Sequence, residues 1–323
     1  MCSTSVSSET DPRAEQASRV AILLTTYNGE KYLQDQLDSI AGQTYRNWKL
    51  YASDDGSTDS TLDILQRFQR QYGANQVHLF AGPRTGFAQN FLSLIRNPDI
   101  HAEYFAFCDQ DDVWFAHKLE RSVTRLDVLP DNTNPAVYCS RTRLIDEVGG
   151  FIGYSPCFKR PPSFRNALVQ SLAGANTMLL NQPARSLLAK IPITAPVVSH
   201  DWLCYLLVTG SGGQVIYDAE PTLDYRQHGG NLIGSNSSWA DRMVRVRRML
   251  SGTFRQWNQD NLVALRYCVE SLDEPSRYAI AQFERARQTS LPKRFFLLRK
   301  AGVYRQTAFG TAGLIFAACI GRL

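Results

Sequence analysis

The sequence predicts an α/β protein: an open, mostly parallel, twisted sheet with helices on both faces, followed by a C-terminal helical extension. Three observations carry that prediction. Short apolar runs alternate with amphipathic stretches of helical period between Val20 and Cys108, the mark of βαβ units. Several of these runs pass directly into a polar, acid-rich cluster. Beyond residue 236 every periodic segment is helical in spacing.

Val20–Thr25 (VAILLT) is a continuous apolar run, as expected of a parallel strand buried on both faces. The turn Thr26-Tyr27-Asn28-Gly29 leads to a helix with Leu33, Leu37 and Ile40 on one face. Trp48–Ala52 is the second strand, and Ser57 and Thr58 after it are capping residue types for a helix striped by Leu62, Leu65 and Phe68. Strands at Val77–Phe80 and Tyr104–Cys108 flank a helix bearing Phe87, Phe91 and Leu94. The alternation then loosens. Strands are expected near Ala136–Ser140, Thr177–Asn181, Val215–Tyr217 and Thr222–Tyr225. Helices are expected near Lys118–Leu129, Phe164–Leu172, Pro183–Ala189 and His200–Val208. The tail gives helices at Met243–Met249, Asp260–Ser271, Arg277–Arg287 and Phe295–Tyr304. The organisation read from this is a disordered lead-in over 1–18, a catalytic-type domain over 19–236 and a helical tail over 237–323.

Composition narrows the class. With 323 residues, 44% apolar and 20% charged, the chain can bury a sizeable core and is not disordered. Seven widely spaced cysteines without a CxxC pair fit reduced thiols of a cytosol better than a disulfide framework or a zinc site. The first 18 residues are polar and lack the apolar segment of a secretory signal. The apolar run Thr307–Ile320 is 14 residues long, short of the roughly 17–25 that a spanning helix needs. From Asp241 onward there are 15 Lys and Arg against 6 Asp and Glu, while the first 240 residues carry 20 against 24. A basic tail on a mildly acidic body predicts an anionic partner, and a membrane surface fits better than nucleic acid, for which no motif is present.

Four segments bear chemistry. Asp109-Gln110-Asp111-Asp112 follows a buried strand; hard oxygen ligands there suit Mg²⁺ or Mn²⁺, or else form a solvated turn before the next helix. Ser53–Asp59 (SDDGSTD) offers Asp54 and Asp55 to a base or ribose, or is an Asp-Gly turn with a serine cap. Ser199-His200-Asp201-Trp202 stands at a helix start, where Asp201 is a general base with Trp202 as an apolar wall, or a cap. Tyr225–Asn231 (YRQHGGN) carries His228, an imidazole metal ligand or a structural hydrogen-bonder. The P-loop, the GxGxxG fingerprint and the GxSxG elbow are all absent.

The order of these segments is more specific than any one of them. TTYNGEKYLQDQLDSI, SDDGSTDSTLDIL, CDQDDVW, HDW and YRQHGGN together resemble glycosyltransferase family 2, and the last two resemble its bacterial rhamnosyltransferases. The match covers about Arg19–Gly234 and implies the GT-A nucleotide-sugar fold. It implies nucleotide contacts at Thr25, Thr26, Tyr27, Asp54 and Asp55, with Asp109 and Asp111 as the DxD. It further implies metal binding by Asp111 with Asp109 and His228, Asp201 as catalytic base, and an acceptor side at Asn176, Thr177 and Trp202. Phe115-Ala116-His117 departs from the proline-containing turn common in relatives, which affects the loop shape.

The expected activity is inverting, metal-dependent glycosyl transfer, with dTDP-L-rhamnose as donor and a lipid-linked surface glycan as acceptor. UDP-glucose or UDP-galactose as donor, and a non-catalytic sugar-binding scaffold, are the alternatives. Peripheral attachment at the inner face of the plasma membrane follows from the tail, whose helices could instead pack on the domain or form a homodimer.

Overall fold

The computed structural model describes residues 20–130, 132–228 and 252–323. The lead-in over 1–18, the boundary at 236 and the helix expected at Met243–Met249 lie outside these residues.

Seven strands form the central sheet: β1 (Val20–Thr26), β2 (Trp48–Asp54), β3 (Val77–Ala81), β4 (Tyr104–Cys108), β6 (Ala136–Ser140), β9 (Leu179–Asn181) and β10 (Gln214–Asp218). Their spatial order is β10-β6-β9-β4-β1-β2-β3. All neighbours are parallel except β9, which runs antiparallel to both β4 and β6. A second sheet has the order β5-β11-β7-β8, built from β5 (Val113–Trp114), β11 (Leu223–Arg226), β7 (Arg143–Ile145) and β8 (Phe151–Tyr154). The hairpin β7–β8 and the two-residue β5 were not expected from the sequence. These strands are two to four residues long, too short to show a period, and β5 and β7 are held by pairing with the distant β11.

Strand pleating divides the core in two. Val20, Ile22 and Leu24 of β1 join Tyr104, Ala106 and Cys108 on one face, packed under α1 (Leu33–Ala41), α2 (Thr61–Tyr72) and α4 (Lys118–Asp127). Ala21, Leu23, Phe105 and Phe107 face the other way, against α3 (Phe87–Arg96), α6 (Gln182–Ala189) and α7 (His200–Gly210). Each Leu or Phe buried here contributes about 1.5–3 kcal/mol relative to exposure. Asn181 starts α6 by accepting the Ala184 N–H, and Pro183 sits in the first turn where its missing N–H costs nothing. The short α5 (Phe164–Ala167) precedes a 3₁₀ turn at Ala175–Thr177.

The tail forms α8 (Thr253–Arg266), α9 (Glu274–Arg287), α10 (Lys293–Ala301) and α11 (Ala308–Cys319). These helices are layered onto the domain: Leu262, Leu265, Phe283, Leu297, Leu298 and Leu314 share the hydrophobic core of α7. Arg294, one of the cations of the basic tail, staples the layer together, donating to the carbonyls of Ala286 (3.2 Å), Ala318 (2.5 Å) and Thr289 (2.6 Å). Among the described residues no helix is long and apolar enough to cross a membrane.

Candidate active site

Adjacent parallel strands end together, so their following loops share one rim. Leu24 is level with Cys108, and Thr26 with Asp54. Thr25–Asn28, Asp54–Asp59 and Asp109–Asp112 therefore meet at the carboxyl edge of the sheet, where open α/β folds bind ligands.

The first two loops brace each other. Asn28, in the left-handed region at φ 47°, donates its N–H to Ser57 Oγ at 2.8 Å and accepts the Thr58 N–H at 2.9 Å. Asp59 accepts from the N–H of Glu30 (3.1 Å) and of Thr61 (3.0 Å). Asp54 is buried and accepts from Thr26 Oγ1 (2.9 Å), the N–H groups of Gly56 (3.0 Å) and Ser57 (2.8 Å), and Ser57 Oγ (2.5 Å). Its lone pairs are spent within the turn. Asp55 faces outward and accepts from the N–H of Arg84 (2.6 Å) and of Gly86 (2.9 Å), which ties down the loop after β3. Tyr27 is 58% exposed, while Thr25 and Thr26 are buried at the strand end. Gln110 clasps the Tyr27 backbone from both sides, accepting its N–H at 2.9 Å and donating to its carbonyl at 3.0 Å. A Cβ on Gly29 would stand 2.3 Å from Gln110 Oε1, so only glycine admits this clasp.

The third loop is crowded with charge. Burial first, then the neighbouring Asp111 and Asp201, raise the Asp109 carboxyl above its usual range. Asp201 is therefore within electrostatic reach of the DQDD turn although it lies 92 residues away in sequence. Asp111 Oδ2 is 2.7 Å from His228 Nε2, and the imidazole leans on the Tyr32 ring at 5.1 Å between centroids. Asp112 is fully buried and accepts from Asn176 Nδ2 (2.6 Å) and the Arg226 N–H (3.3 Å); burial, Asp111 and Asp109 raise its carboxyl well above the usual range. Asp201 occupies the first turn of α7, accepts from Ser171 Oγ at 3.2 Å, and is raised by burial.

Positive charge enters from residues that the sequence reading did not single out. Arg226, 4% exposed, donates to the Asp111 carbonyl (3.1 Å), the Glu147 carbonyl (3.2 Å) and Asp35 (2.9 Å), with its guanidinium 4.6 Å from the Tyr32 ring centre. It lies in the same YRQH run as His228 and could have been read from it. Lys118 is fully buried, 4.5 Å above the Trp114 ring, and burial lowers its ammonium to about 8. Glu147 belongs to the hairpin loop and had no sequence signal.

Two acceptor-side assignments change character. Trp202 is not a wall of the site: its ring is 5% exposed, its N–H donates to the Ala167 carbonyl at 2.6 Å, and it packs edge-on against Trp257 of α8. The tail layer claims its surface. Asn176 and Thr177 are buried in a 3₁₀ turn (Ala175–Thr177), where Asn176 holds Asp112 and Thr177 Oγ1 donates to the Gly174 carbonyl at 2.8 Å.

The donor set around Asp111 is two carboxylates and one imidazole. Among the described residues no group of three or more His, Cys, Asp and Glu side chains forms a ready-made metal cage. Mg²⁺ is commonly held by one or two carboxylates plus substrate phosphates, so the Asp109 and Asp111 carboxylates suit, by type, an ion whose remaining ligands come from a diphosphate.

The fold and rim define a strand-end site of the open α/β kind, and comparison with known proteins gives the family. Residues 21–178 match the family described as Glycosyl transferase family 2, and the chain carries a domain of that family. The dTDP-rhamnosyl transferase RfbG of Shigella flexneri is 26% identical over 246 residues, covering 72% of this chain and 81% of the relative. An uncharacterized glycosyltransferase of Nostoc, alr2836, is 26% identical and covers 77% of each chain. Another from Rickettsia typhi, RT0329, is 32% identical over 40% of this chain, which spans 37% of that relative. Among solved structures, S. aureus TarS 1–349 aligns with TM-score 0.52 at 16% identity, over 88% of this chain and 92% of TarS 1–349. The GT-A fold expected from the sequence is the fold observed.

Proposed function

We propose that the chain is an inverting glycosyltransferase that moves L-rhamnose from dTDP-L-rhamnose to a lipid-linked surface glycan. One observation carries the proposal. Asp201, 92 residues further along the chain, stands close enough to the strand-end rim for its charge to act on Asp109. The donor assignment rests on likeness to the Shigella rhamnosyl transferase over most of both chains.

In this reading Thr25, Thr26 and Tyr27 line the nucleotide. Asp55 uses two backbone donors and retains acceptor capacity for a base N–H, since a carboxylate offers about four lone-pair sites. Asp54 organises the turn and touches the ligand only through it. Asp111, with Asp109 and His228, would hold Mg²⁺ or Mn²⁺, which when bound supplies neutralisation of the departing diphosphate. Asp201 accepts the acceptor hydroxyl proton as that oxygen bonds to the anomeric carbon from the face opposite the leaving group. The carbon–oxygen bond to the diphosphate breaks with its electron pair, leaving a nucleoside diphosphate. One displacement inverts the configuration, so a β-linked donor gives an α-L-rhamnoside. The raised affinity of Asp201 for protons suits a base, because a stronger base draws the proton earlier.

Membrane contact belongs to the same proposal. Phe309, Ile315 and Phe316 of α11, Ile320 just after it and Phe296 of α10 are exposed, as are Lys293, Arg299 and Lys300, with the Lys300 ammonium 4.6 Å from the Phe296 ring centre. Apolar side chains flanked by cations suit the interface of an anionic leaflet, where each cation contributes about 1 kcal/mol.

The test is a donor panel with purified protein and Mg²⁺ or Mn²⁺: dTDP-L-rhamnose, UDP-glucose, UDP-galactose and UDP-N-acetylglucosamine. Metal-dependent donor turnover greatest with dTDP-L-rhamnose is expected. Turnover of none of them rejects the transferase reading, and preference for a UDP-sugar rejects the rhamnose assignment alone.

A further inference from the structure

Between α8, α9 and the end of the chain lies a polar cavity of about 410 Å³. Its walls include Arg255, Gln259 and Arg266 from α8, Glu284 and Arg287 from α9, and Arg322. The spacing 255, 259, 266 on one helix and 284, 287 on the next brings one face of each together.

Four guanidinium groups thus meet one carboxylate. Glu284 is already engaged by Arg266 at 2.9 Å. Arg287 donates to Leu323 O (3.2 Å), Gln259 Oε1 (2.8 Å) and the Arg255 carbonyl (2.9 Å). Even with a carboxylate at Leu323 counted beside Glu284, four positive charges face two negative ones. Burial and the Arg255 charge lower the affinity of Arg287 for its proton, the sign expected of crowded cations. Arg255 and Arg322 are exposed and reach inward; Arg322 Nη1 is 3.3 Å from where a Cβ on Gly252 would stand. Gly252 opens α8, a 14-residue helix, so the positive end of its dipole adds to the same field.

We propose that this cavity binds a phosphate group. Planar guanidinium forks match phosphate oxygens two at a time, and the cavity supplies several without enough internal anions to consume them. Ile320 and Phe316, exposed at the end of α11 and on it, stand two and six residues before Arg322. Apolar surface next to a phosphate seat is the arrangement that a phospholipid headgroup requires. A soluble phosphate is the other source of the same chemistry. The site is separate from the strand-end rim and does not rest on the donor or acceptor assignment.

The experiment uses the full chain, its Arg255→Gln/Arg322→Gln double variant, and a control, Arg277→Gln/Arg285→Gln, with the same charge change away from the cavity. Probes are phosphatidylcholine vesicles with and without phosphatidylglycerol, by co-sedimentation, and inorganic phosphate and pyrophosphate, by calorimetry. At least one phosphate probe is expected to bind the full chain, with affinity reduced tenfold or more in the cavity variant and within twofold in the control. Binding of phosphatidylglycerol vesicles alone assigns the headgroup, and binding of inorganic phosphate or pyrophosphate alone assigns the soluble anion; either upholds the site. No binding of any probe, or equal loss in both variants, overturns it. Both substituted arginines are exposed, and matching thermal melts show that folding is intact. Arg255→Lys with partial affinity separates charge from fork geometry. Donor turnover measured on the same proteins stays unchanged, so failure of this site and failure of the transferase reading are distinct results.

Discussion

Two acidic turns, SDDGSTD after β2 and DQDD after β4, look alike in sequence and are opposite in physics. In the first, donors outnumber charges: Asp54 receives four hydrogen bonds, Asp55 two from backbone amides, and Asp59 is held below the usual carboxylate range by Thr61 and backbone amides in spite of some burial. In the second, carboxylates face one another in partial burial, and Asp109 and Asp112 are pushed up. A carboxylate whose lone pairs are filled by its own turn is scaffolding. One that is destabilised as an anion has capacity left for a cation or a proton. Counting donors, rather than acids, separates the two.

The comparison breaks most sharply at Asp111. Asp111→Asn removes a charged oxygen from the crowded turn, and transfer is expected to fall by about 10³-fold, the upper end of what losing one charge-stabilising group costs. Thermal stability should hold or rise, because a like charge leaves the neighbourhood of Asp109 and Asp112. Initial rates and melting curves on one preparation check both halves. A variant that melts early and keeps its activity would make DQDD the scaffold and reverse the contrast.

Asp201→Asn comes next. A lost general base typically costs about 10²–10⁴ in turnover. Donor affinity by calorimetry should remain within a few-fold, since Asp201 is anchored to Ser171 and the start of α7 rather than to the loops after β1 and β2. Donor binding lost in parallel with turnover would move Asp201 to the donor side.

How far could the sequence alone have carried this contrast? The four strands β1–β4 and their converging loops were legible: β1, β2 and β4 because strands buried on both faces are rich in apolar residues, and the half-buried edge strand β3 because it stands between two amphipathic helices. The site residues were legible only as an ordered set of motifs. Their division of labour was not. That Asp54 is saturated depends on the fold of Gly56 and Ser57, and that Asp55 is half occupied depends on a loop 29 residues away. Trp202 misled for the same reason, as its partner Trp257 belongs to a helix layer whose docking no local pattern encodes. The contacts of Arg226, and the seating of the β7–β8 hairpin against β11, depend on pairings across more than 70 residues.

Asp54→Ala tests the scaffold side. It strands the buried donors of Thr26, Gly56 and Ser57 at the point where two loops lock together. At about 1–3 kcal/mol per unsatisfied buried group, with water reaching some of them, a loss of about 2–4 kcal/mol is expected in urea unfolding. A loss below about 0.5 kcal/mol would show that the turn holds without its carboxylate and that Asp54 is free for ligand.

His200 supplies the smallest and most specific test, since it is a third kind of buried ionisable group behind the same rim. Its ring is 2% exposed, stacked on Phe91 at 3.9 Å and edge-on to Phe107 at 4.7 Å, and neither ring nitrogen has a hydrogen-bond partner. Burial lowers it to about 3, so the folded protein keeps it neutral. Above about pH 6.5 neither state binds the proton, and the neutral ring is fully compatible with folding. Between 6.5 and 3 the unfolded chain binds a proton that the folded chain refuses, so stability falls as pH falls, by about 1.4 kcal/mol per pH unit well inside that window. His200→Phe keeps an aromatic ring in the Phe91–Phe107 cage, removes two stranded nitrogens and abolishes this proton uptake. Urea unfolding at pH 7, 6 and 5 should therefore show a variant at least as stable as the parent at pH 7, with an acid limb shallower by one proton. An unchanged slope would mean that His200 is already charged in the folded state, and the aromatic cage would then have to contain an anion that the described residues do not place there.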